Sequence, residues 1–236
     1  MKAVILCAGK GERLRRLTAS VPKPLLPVDG EPLLDRTIAW LKRHGITELF
    51  VNLHHLGNRI VEHLGDGASR GVRVTYSHEE ALLGTAGALR AFAPHLNETF
   101  VLVYGDVVAD VLDLADLLDF HRTRNGIATL VLQRTDRPHD SDVIERSKDG
   151  RIVGFHCTPG DFSHGDLGNA AVYVLESGIL NYVPPSGVPD FVADVFPAAL
   201  AAGEALYGYV TPTEVLDIGT PERYHASGRD AARRAT

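Results

Sequence analysis

Residues 3–7, Ala-Val-Ile-Leu-Cys, form an unbroken apolar run that gives way at once to glycine and positive charge in Ala8-Gly9-Lys10-Gly11. A strand without polar alternation must be covered on both faces, which a helix-flanked parallel sheet does. Similar runs recur at Leu49–Leu53 and Phe100–Tyr104, the latter ending at Gly105–Asp106. Between the first two, Pro32 sits where a helix would begin, Leu34, Ile38 and Leu41 share one helical face, and Gly45 is a natural stop. Further strands are expected at Val72–Tyr76 and Ile127–Gln133, with a short helix over Ala86–Phe92 and one capped by Asp113 through about His121. The spacing predicts an α/β fold, Rossmann-like, with a mostly parallel sheet and helices on both faces. After Thr135 the pattern shifts to short strands (Val143–Glu145, Ile152–Phe155, Ala170–Leu175) joined by polar or Gly-rich loops, a smaller mixed region. A helix over Val192–Ala201, a strand at Leu206–Val210 and a helix from Pro221 follow. In such sheets ligands bind at the carboxyl ends of strands, which marks Cys7–Ala8 and Gly105–Asp106.

Charge points to the same place. Residues 1–23 carry six basic side chains (Lys2, Lys10, Arg13, Arg15, Arg16, Lys23) against Glu12 alone, in a chain of net charge −6. A positive loop in an acidic protein fits a small polyanion better than nucleic acid. The opening apolar run is too short for a signal peptide or a membrane span. Two cysteines, Cys7 and Cys157, give neither a disulfide framework nor zinc spacing, so a cytoplasmic protein without membrane association is expected. His54, His55 and His63 are read as surface or helix-face side chains rather than a metal cluster.

The segment LCAGKGERLRRLTASVPKPLLPV concentrates the chemistry. Gly9 and Gly11 let the backbone approach a ligand and turn N–H groups toward phosphate oxygens. Arg13, Arg15, Arg16 and Lys23 are the nearest cations, and Pro22, Pro24 and Pro27 restrict the chain around Lys23. A dinucleotide fingerprint would need a small residue at Leu14, which disfavours an NAD-dependent oxidoreductase, and the spacing of a P-loop is absent.

The whole string resembles the signature of the sugar-phosphate nucleotidyltransferases (sugar nucleotide pyrophosphorylases) at Gly9, Gly11, Arg13, Leu14, Pro22, Lys23 and Pro24. LLGTAGALR (82–90), VLVYGD (101–106) and LDIGTPERY (216–224) resemble the same family in the same order. The resemblance implies one catalytic domain over 1–236, with 1–135 mainly nucleotide-binding and 136–236 mainly acceptor-binding and closing elements. It implies that Arg13 and Lys23 are catalytic, holding the triphosphate and stabilising charge on the leaving pyrophosphate. Leu6, Ala8, Gly9, Gly11, Gly84 and Thr85 would bind the nucleotide, Asp106 and Asp217 would hold Mg²⁺, and Asn169 would contact the acceptor. The string LGTAGAL is most similar to guanylyltransferases of mannose- or heptose-type 1-phosphates. The implied partners are a nucleoside triphosphate (GTP first, then UTP, CTP and dTTP) and a sugar 1-phosphate or similar small acceptor; a homo-oligomer is left open.

The chemistry suits this residue set. The attacking phosphate oxygen is already anionic, so the reaction needs cations and a metal rather than a base. Asp110, Asp113, Asp116 and Asp119 are read as capping or solvated. The chain departs from the family where Glu-Lys-Pro often follows a strand like RIVGF: here Cys157, Thr158 and Pro159 stand, with His156 or Arg151 as the nearest cations for an acceptor phosphate. Ala171 replaces a common glycine, and Val215-Leu216 precede Asp217 without the usual aromatic residue. Alternatives are a cytidylyl- or uridylyltransferase for a non-hexose acceptor, and a non-catalytic nucleotide-sugar sensor. Such sensors usually lose the arginine, lysine or aspartates that are all present here.

Overall fold

The computed structural model describes residues 1–135, 142–156 and 165–234. Cys157, Thr158 and Pro159, where the chain departs from the family pattern, lie outside the described residues. The chain divides into two compact units. The first is Met1–Leu82, Val103–Val111 and Val215–Thr236; the second is Leu83–Leu102 and Leu112–Glu214.

In the first unit β1 (Lys2–Leu6) is followed by a two-residue-strand hairpin, β2 (Pro27–Val28) and β3 (Glu31–Pro32), and by α1 (Leu33–Arg43). Next come β4 (Glu48–Leu53), α2 (Gly57–Leu64) and β5 (Arg73–His78). β4 lies between β1 and β5 and is parallel to both, with Leu6 opposite Asn52 and Asn52 opposite Ser77. Ala3, Val4 and Ile5 are fully buried, as the apolar run requires. Gly45 takes a left-handed φ of +76° just after α1, the stop expected of it. α2 was not anticipated: Leu56, itself left-handed, stands at its start without a capping side chain, so the usual polar signal is missing.

In the second unit only Leu89–Phe92 of the expected short helix is α-helical (α3). β6 (Phe100–Tyr104) starts in this unit and ends in the first, where β7 (Val107–Val108) follows. α4 (Leu114–Arg124) is capped by the Asp113 carboxylate, which accepts from the N–H groups of Ala115 and Asp116, and it runs one turn beyond His121 to a left-handed Asn125. β8 (Ala128–Arg134), β9 (Val143–Arg146), β10 (Ile152–His156), β11 (Leu167–Leu175) and β12 (Leu206–Val210) form the mixed part. β12 is parallel to β8, whereas β11 is antiparallel to β8 and β9, and β10 is antiparallel to β9. The expected helix near Val192 opens with a wide π-type turn, Phe191–Val195, and continues as α5 (Phe196–Ala201). α4 packs on β11 and β12. His121, almost fully buried, pins it there through the Thr129 hydroxyl at 2.8 Å and the Glu176 carboxylate at 3.0 Å. The chain then returns to the first unit as β13 (Leu216–Asp217), antiparallel to β7, and α6 (Pro221–Arg234), which packs on β13 and β2. The architecture is α/β with a mostly parallel sheet, as expected.

β11 carries a local irregularity between Asn169 and Tyr173, and Ala171 sits inside it with φ +57°. An L-residue there is crowded by its own Cβ, at roughly 1–2 kcal/mol, where glycine would not be. The Asn169 side chain relieves part of the disruption by accepting from the Ala171 N–H at 3.1 Å. Ala171→Gly is expected to raise stability by about 1 kcal/mol and Tm by a few degrees. Thermal unfolding of the two proteins checks this, and an unchanged or lower Tm would contradict the strain.

Candidate active site

The glycine-rich loop leaves β1 and turns at Gly11, whose φ is +64°. The Gly11 carbonyl accepts from the Leu14 N–H and from the Thr18 hydroxyl, both at 2.9 Å, which closes residues Glu12–Thr18 into a 3₁₀ turn. Leu14, 2% exposed, drops into a cluster with Leu26, Val28, Leu33, Val108 and Ile218. In the sequence Leu14 excluded a dinucleotide motif and formed part of the family-like string; its structural work is to anchor the loop, with Arg13 beside it. Lys23 begins a second short turn, Lys23–Leu25, and its own carbonyl accepts from the Leu26 N–H.

The Lys23 side chain is nearly buried, and its ammonium donates to Asp106 Oδ2 at 2.5 Å and lies 3.7 Å from Asp217 Oδ1. Three residues singled out from separate motifs thus meet in one cluster. Asp106 follows β6, and Val107, one residue on, pairs with Asp217 in the β7–β13 ladder. The Ile218 N–H donates to the Asp106 carbonyl at 3.0 Å, so backbone bonds hold the two carboxylates side by side. Asp217 is further held by the Gly219 N–H and by Arg223 of α6, each at 2.6 Å. Arg13 closes over the same turn: a Cβ on Gly219 would stand 2.9 Å from Arg13 Nη2 and 2.7 Å from Asp217 Oδ1, so a side chain there would push on both charged groups. An open depression of about 620 Å³ is lined by Glu12, Arg13, Thr220, Pro221 and Glu222.

The exit of β1 is fixed by groups that sequence analysis missed. The Asn52 side chain, 3% exposed, accepts from the Cys7 N–H and donates to Glu79, both at 2.8 Å. The Gly105 N–H donates to the Leu6 carbonyl at 2.9 Å, and a Cβ on Gly105 would meet Leu6 O and Cys7 Sγ at 2.8 Å. Burial first, and the Asp106 charge second, push the Cys7 thiol far above its ordinary pKa, so it is an inert packing group. A polar residue inside an apolar strand was the available sign for Asn52. For Arg223 it was a long cation on the first turn of a helix that starts four residues after Asp217.

Gly84, Thr85, Asn169 and His156 belong to the second unit. Gly84 has φ +81°, and a Cβ there would overlap the Pro189 carbonyl. The Thr85 hydroxyl donates to Asp190 at 2.7 Å and accepts from the Phe191 N–H at 3.0 Å, so it holds the segment in place. Asn169 donates to the Tyr173 hydroxyl at 2.7 Å, and His156 is hydrogen-bonded to Glu145 at 3.0 Å. Asp110, expected as capping or solvated, instead accepts two bonds from Arg36, which ties α1 to the stretch after β7. His54, His55 and His63 contact the Glu79 carbonyl, the Thr18 carbonyl and Asp35 respectively. Among the described residues no group of three or more His, Cys, Asp or Glu side chains could hold a metal ion.

The glycines give a stability test. A Cβ at Gly9 would touch nothing within 4 Å, whereas at Gly105 it would strike backbone. Gly105→Ala is expected to cost about 1–3 kcal/mol in urea unfolding. Gly9→Ala should stay within about 0.5 kcal/mol of the parent. Equal losses would contradict the close approach of β1 to Gly105.

Known proteins resemble this chain along most of its length. The profile of the nucleotidyl transferase family matches residues 2–234. The chain is 36% identical over 233 residues to the mannose-1-phosphate guanylyltransferase of Mycobacterium tuberculosis, covering 98% of this chain and 64% of that protein. It is 31% identical over 239 residues to the UTP–glucose-1-phosphate uridylyltransferase of Synechocystis, covering 95% of this chain and 61% of that one. The chain therefore spans less than two thirds of the length of either relative. HddC from Yersinia pseudotuberculosis superposes with a TM-score of 0.81 at 22% identity, covering 98% of this chain and 99% of that one. A candidate glucose-1-phosphate thymidylyltransferase of Bacillus anthracis superposes with 0.87 at 24%, covering 98% and 95%. These two likenesses concern the fold. The family profile covers nearly every residue and takes in the glycine-rich loop, Lys23, Asp106 and Asp217: the chain belongs to the nucleotidyl transferase family.

Proposed function

We propose that the protein transfers a nucleotidyl group, from GTP by preference, to the phosphate of a sugar 1-phosphate, releasing pyrophosphate and forming a nucleoside diphosphate sugar. The observation that carries this reading is the cluster in which the Lys23 ammonium stands between Asp106 and Asp217, with Arg13 and Arg223 against the same turn. Three cations around two carboxylates suit a triphosphate bound with a divalent cation. The guanylyltransferase relative supports GTP, and the uridylyltransferase relative supports UTP as the alternative.

The two carboxylates fit Mg²⁺. It takes one or two carboxylates and fills its other positions with water and phosphate oxygens, and an ammonium already occupies the space between the two here. Bound there, Mg²⁺ would neutralise phosphate charge as a Lewis acid. Arg13 and Lys23 supply the remaining positive charge, Lys23 by moving from Asp106 to the phosphates and Arg13 by a planar fork of donors. Backbone N–H groups of Ala8, Gly9 and Gly11, with Leu6 at the strand end, receive the nucleotide, and the open space at Gly9 leaves room for it. Gly84 and Thr85 contact the base through backbone atoms, because the Thr85 hydroxyl is already committed. Asn169 contacts the sugar. His156, paired with Glu145, stands beside the acceptor phosphate in place of the missing lysine. Residues 1–135 thus serve mainly the nucleotide, and 136–236 mainly the acceptor and closure. The protein works in the cytoplasm, alone or as a homo-oligomer.

The acceptor phosphate is anionic before it attacks, so the cluster's task is to bring two anions into line. Asp106→Asn and Asp217→Asn should each lower turnover about a thousandfold. Arg13→Ala and Lys23→Ala should each lower it roughly a hundred- to a thousandfold. Pyrophosphate release from each nucleoside triphosphate with a panel of phosphorylated acceptors checks this. GTP with a manno- or heptose-type 1-phosphate is expected to lead, and glucose 1-phosphate to be a poor acceptor. Efficient turnover of glucose 1-phosphate with UTP or dTTP would overturn the acceptor assignment. Absence of pyrophosphate from every pair would make the protein a nucleotide-sugar sensor.

A further inference from the structure

Arg223 lies in the string LDIGTPERY without a role assigned to it there, yet it makes one of the shortest ion pairs of the cluster. It sits on the first turn of α6, where its N–H donates to the Thr220 hydroxyl at 3.3 Å and its side chain is only 20% exposed. Its Nη1 donates to Asp217 Oδ2 at 2.6 Å. The other oxygen of that carboxylate accepts from the Gly219 N–H at 2.6 Å and faces the Lys23 ammonium at 3.7 Å. Both oxygens of Asp217 are therefore engaged, and two of their neighbours are cations.

This has a consequence for any divalent ion. To reach Asp217 it must displace Arg223 from Oδ2 or approach Oδ1 against the charge of Lys23, with Arg13 also over the turn. Like charges at such range oppose entry strongly in a half-buried site. A polyphosphate reverses the balance, because its oxygens give the displaced guanidinium a planar, bidentate partner and cancel the excess positive charge.

We infer that Arg223 is a gate on the metal carboxylate: in the nucleotide-free protein it holds Asp217 in place of a divalent cation, and it passes to phosphate oxygens when nucleotide and cation enter together. The inference rests on the reading of Asp217 as a metal ligand. It makes Arg223 a residue that couples two binding events, so its removal strengthens one and weakens the other.

The test is a titration of nucleotide-free protein with Mn²⁺ alone, free ion being read by electron paramagnetic resonance. Calorimetry with inorganic pyrophosphate alone is run alongside. Arg223→Gln is expected to bind Mn²⁺ roughly tenfold more tightly than the parent and pyrophosphate roughly tenfold more weakly. Arg223→Lys, which keeps the charge but not the fork, should fall between them in both measurements and guards against a folding defect in the glutamine variant. Mn²⁺ binding by Arg223→Gln that is unchanged or weaker would overturn the gate and assign Arg223 a purely structural role. Asp217→Asn placed in the Arg223→Gln protein separates the gate from the metal site. Loss of the Mn²⁺ binding that Arg223→Gln shows supports the metal reading, and Mn²⁺ binding equal to that of Arg223→Gln alone would overturn that reading and the gate with it.

Discussion

A nearly buried ammonium group organises this protein. Lys23 is 9% exposed at its side chain, and Asp106, its partner at 2.5 Å, is 32% exposed. Stranding one charge of a fully buried pair costs about 3–5 kcal/mol, and less where one partner still reaches water, as here. The cluster therefore tolerates exchange of Lys23 for another cation better than its loss. That property suits the proposed binding of a metal and a triphosphate at the same point.

The charged groups are held by apolar neighbours as well as by one another. Leu14 follows Arg13, Ile218 follows Asp217, Val108 lies two residues after Asp106 and Leu26 three after Lys23, and all four share one buried cluster. Each side chain of the site is thus tethered at a distance of one to three residues from the same piece of core. Burial supplies the free energy, and the β7–β13 ladder supplies the register. The loop that carries Arg13 has few long regular elements of its own, so without this anchoring its cation would not be placed.

Much of this was legible in the sequence because the strongest signals are local. The strands at Leu49–Leu53, Phe100–Tyr104 and Leu206–Val210 appeared within one residue of their expected ends, since mostly apolar runs flanked by polar or turn residues mark where a buried strand starts and stops. The Gly-Glu-Arg-Leu and Pro-Lys-Pro strings marked Arg13 and Lys23, and strand ends marked Asp106. What stayed hidden depends on contacts distant in sequence or on unusual backbone. α2 begins at a left-handed Leu56 with no polar cap, and the Asn52–Cys7 bond joins residues 45 apart. Arg223 lay inside the string LDIGTPERY, but nothing in the string says which way its side chain turns.

The account stands on exchange at the cluster, and a crystal structure with a non-hydrolysable GTP analogue and Mn²⁺ tests that most directly. Anomalous scattering locates the metal independently of the protein atoms. The expected result is a peak within coordination distance of both Asp106 and Asp217, with the Lys23 ammonium withdrawn to the phosphates. A peak remote from those carboxylates, or Lys23 still seated on Asp106 with nucleotide bound, would contradict the account.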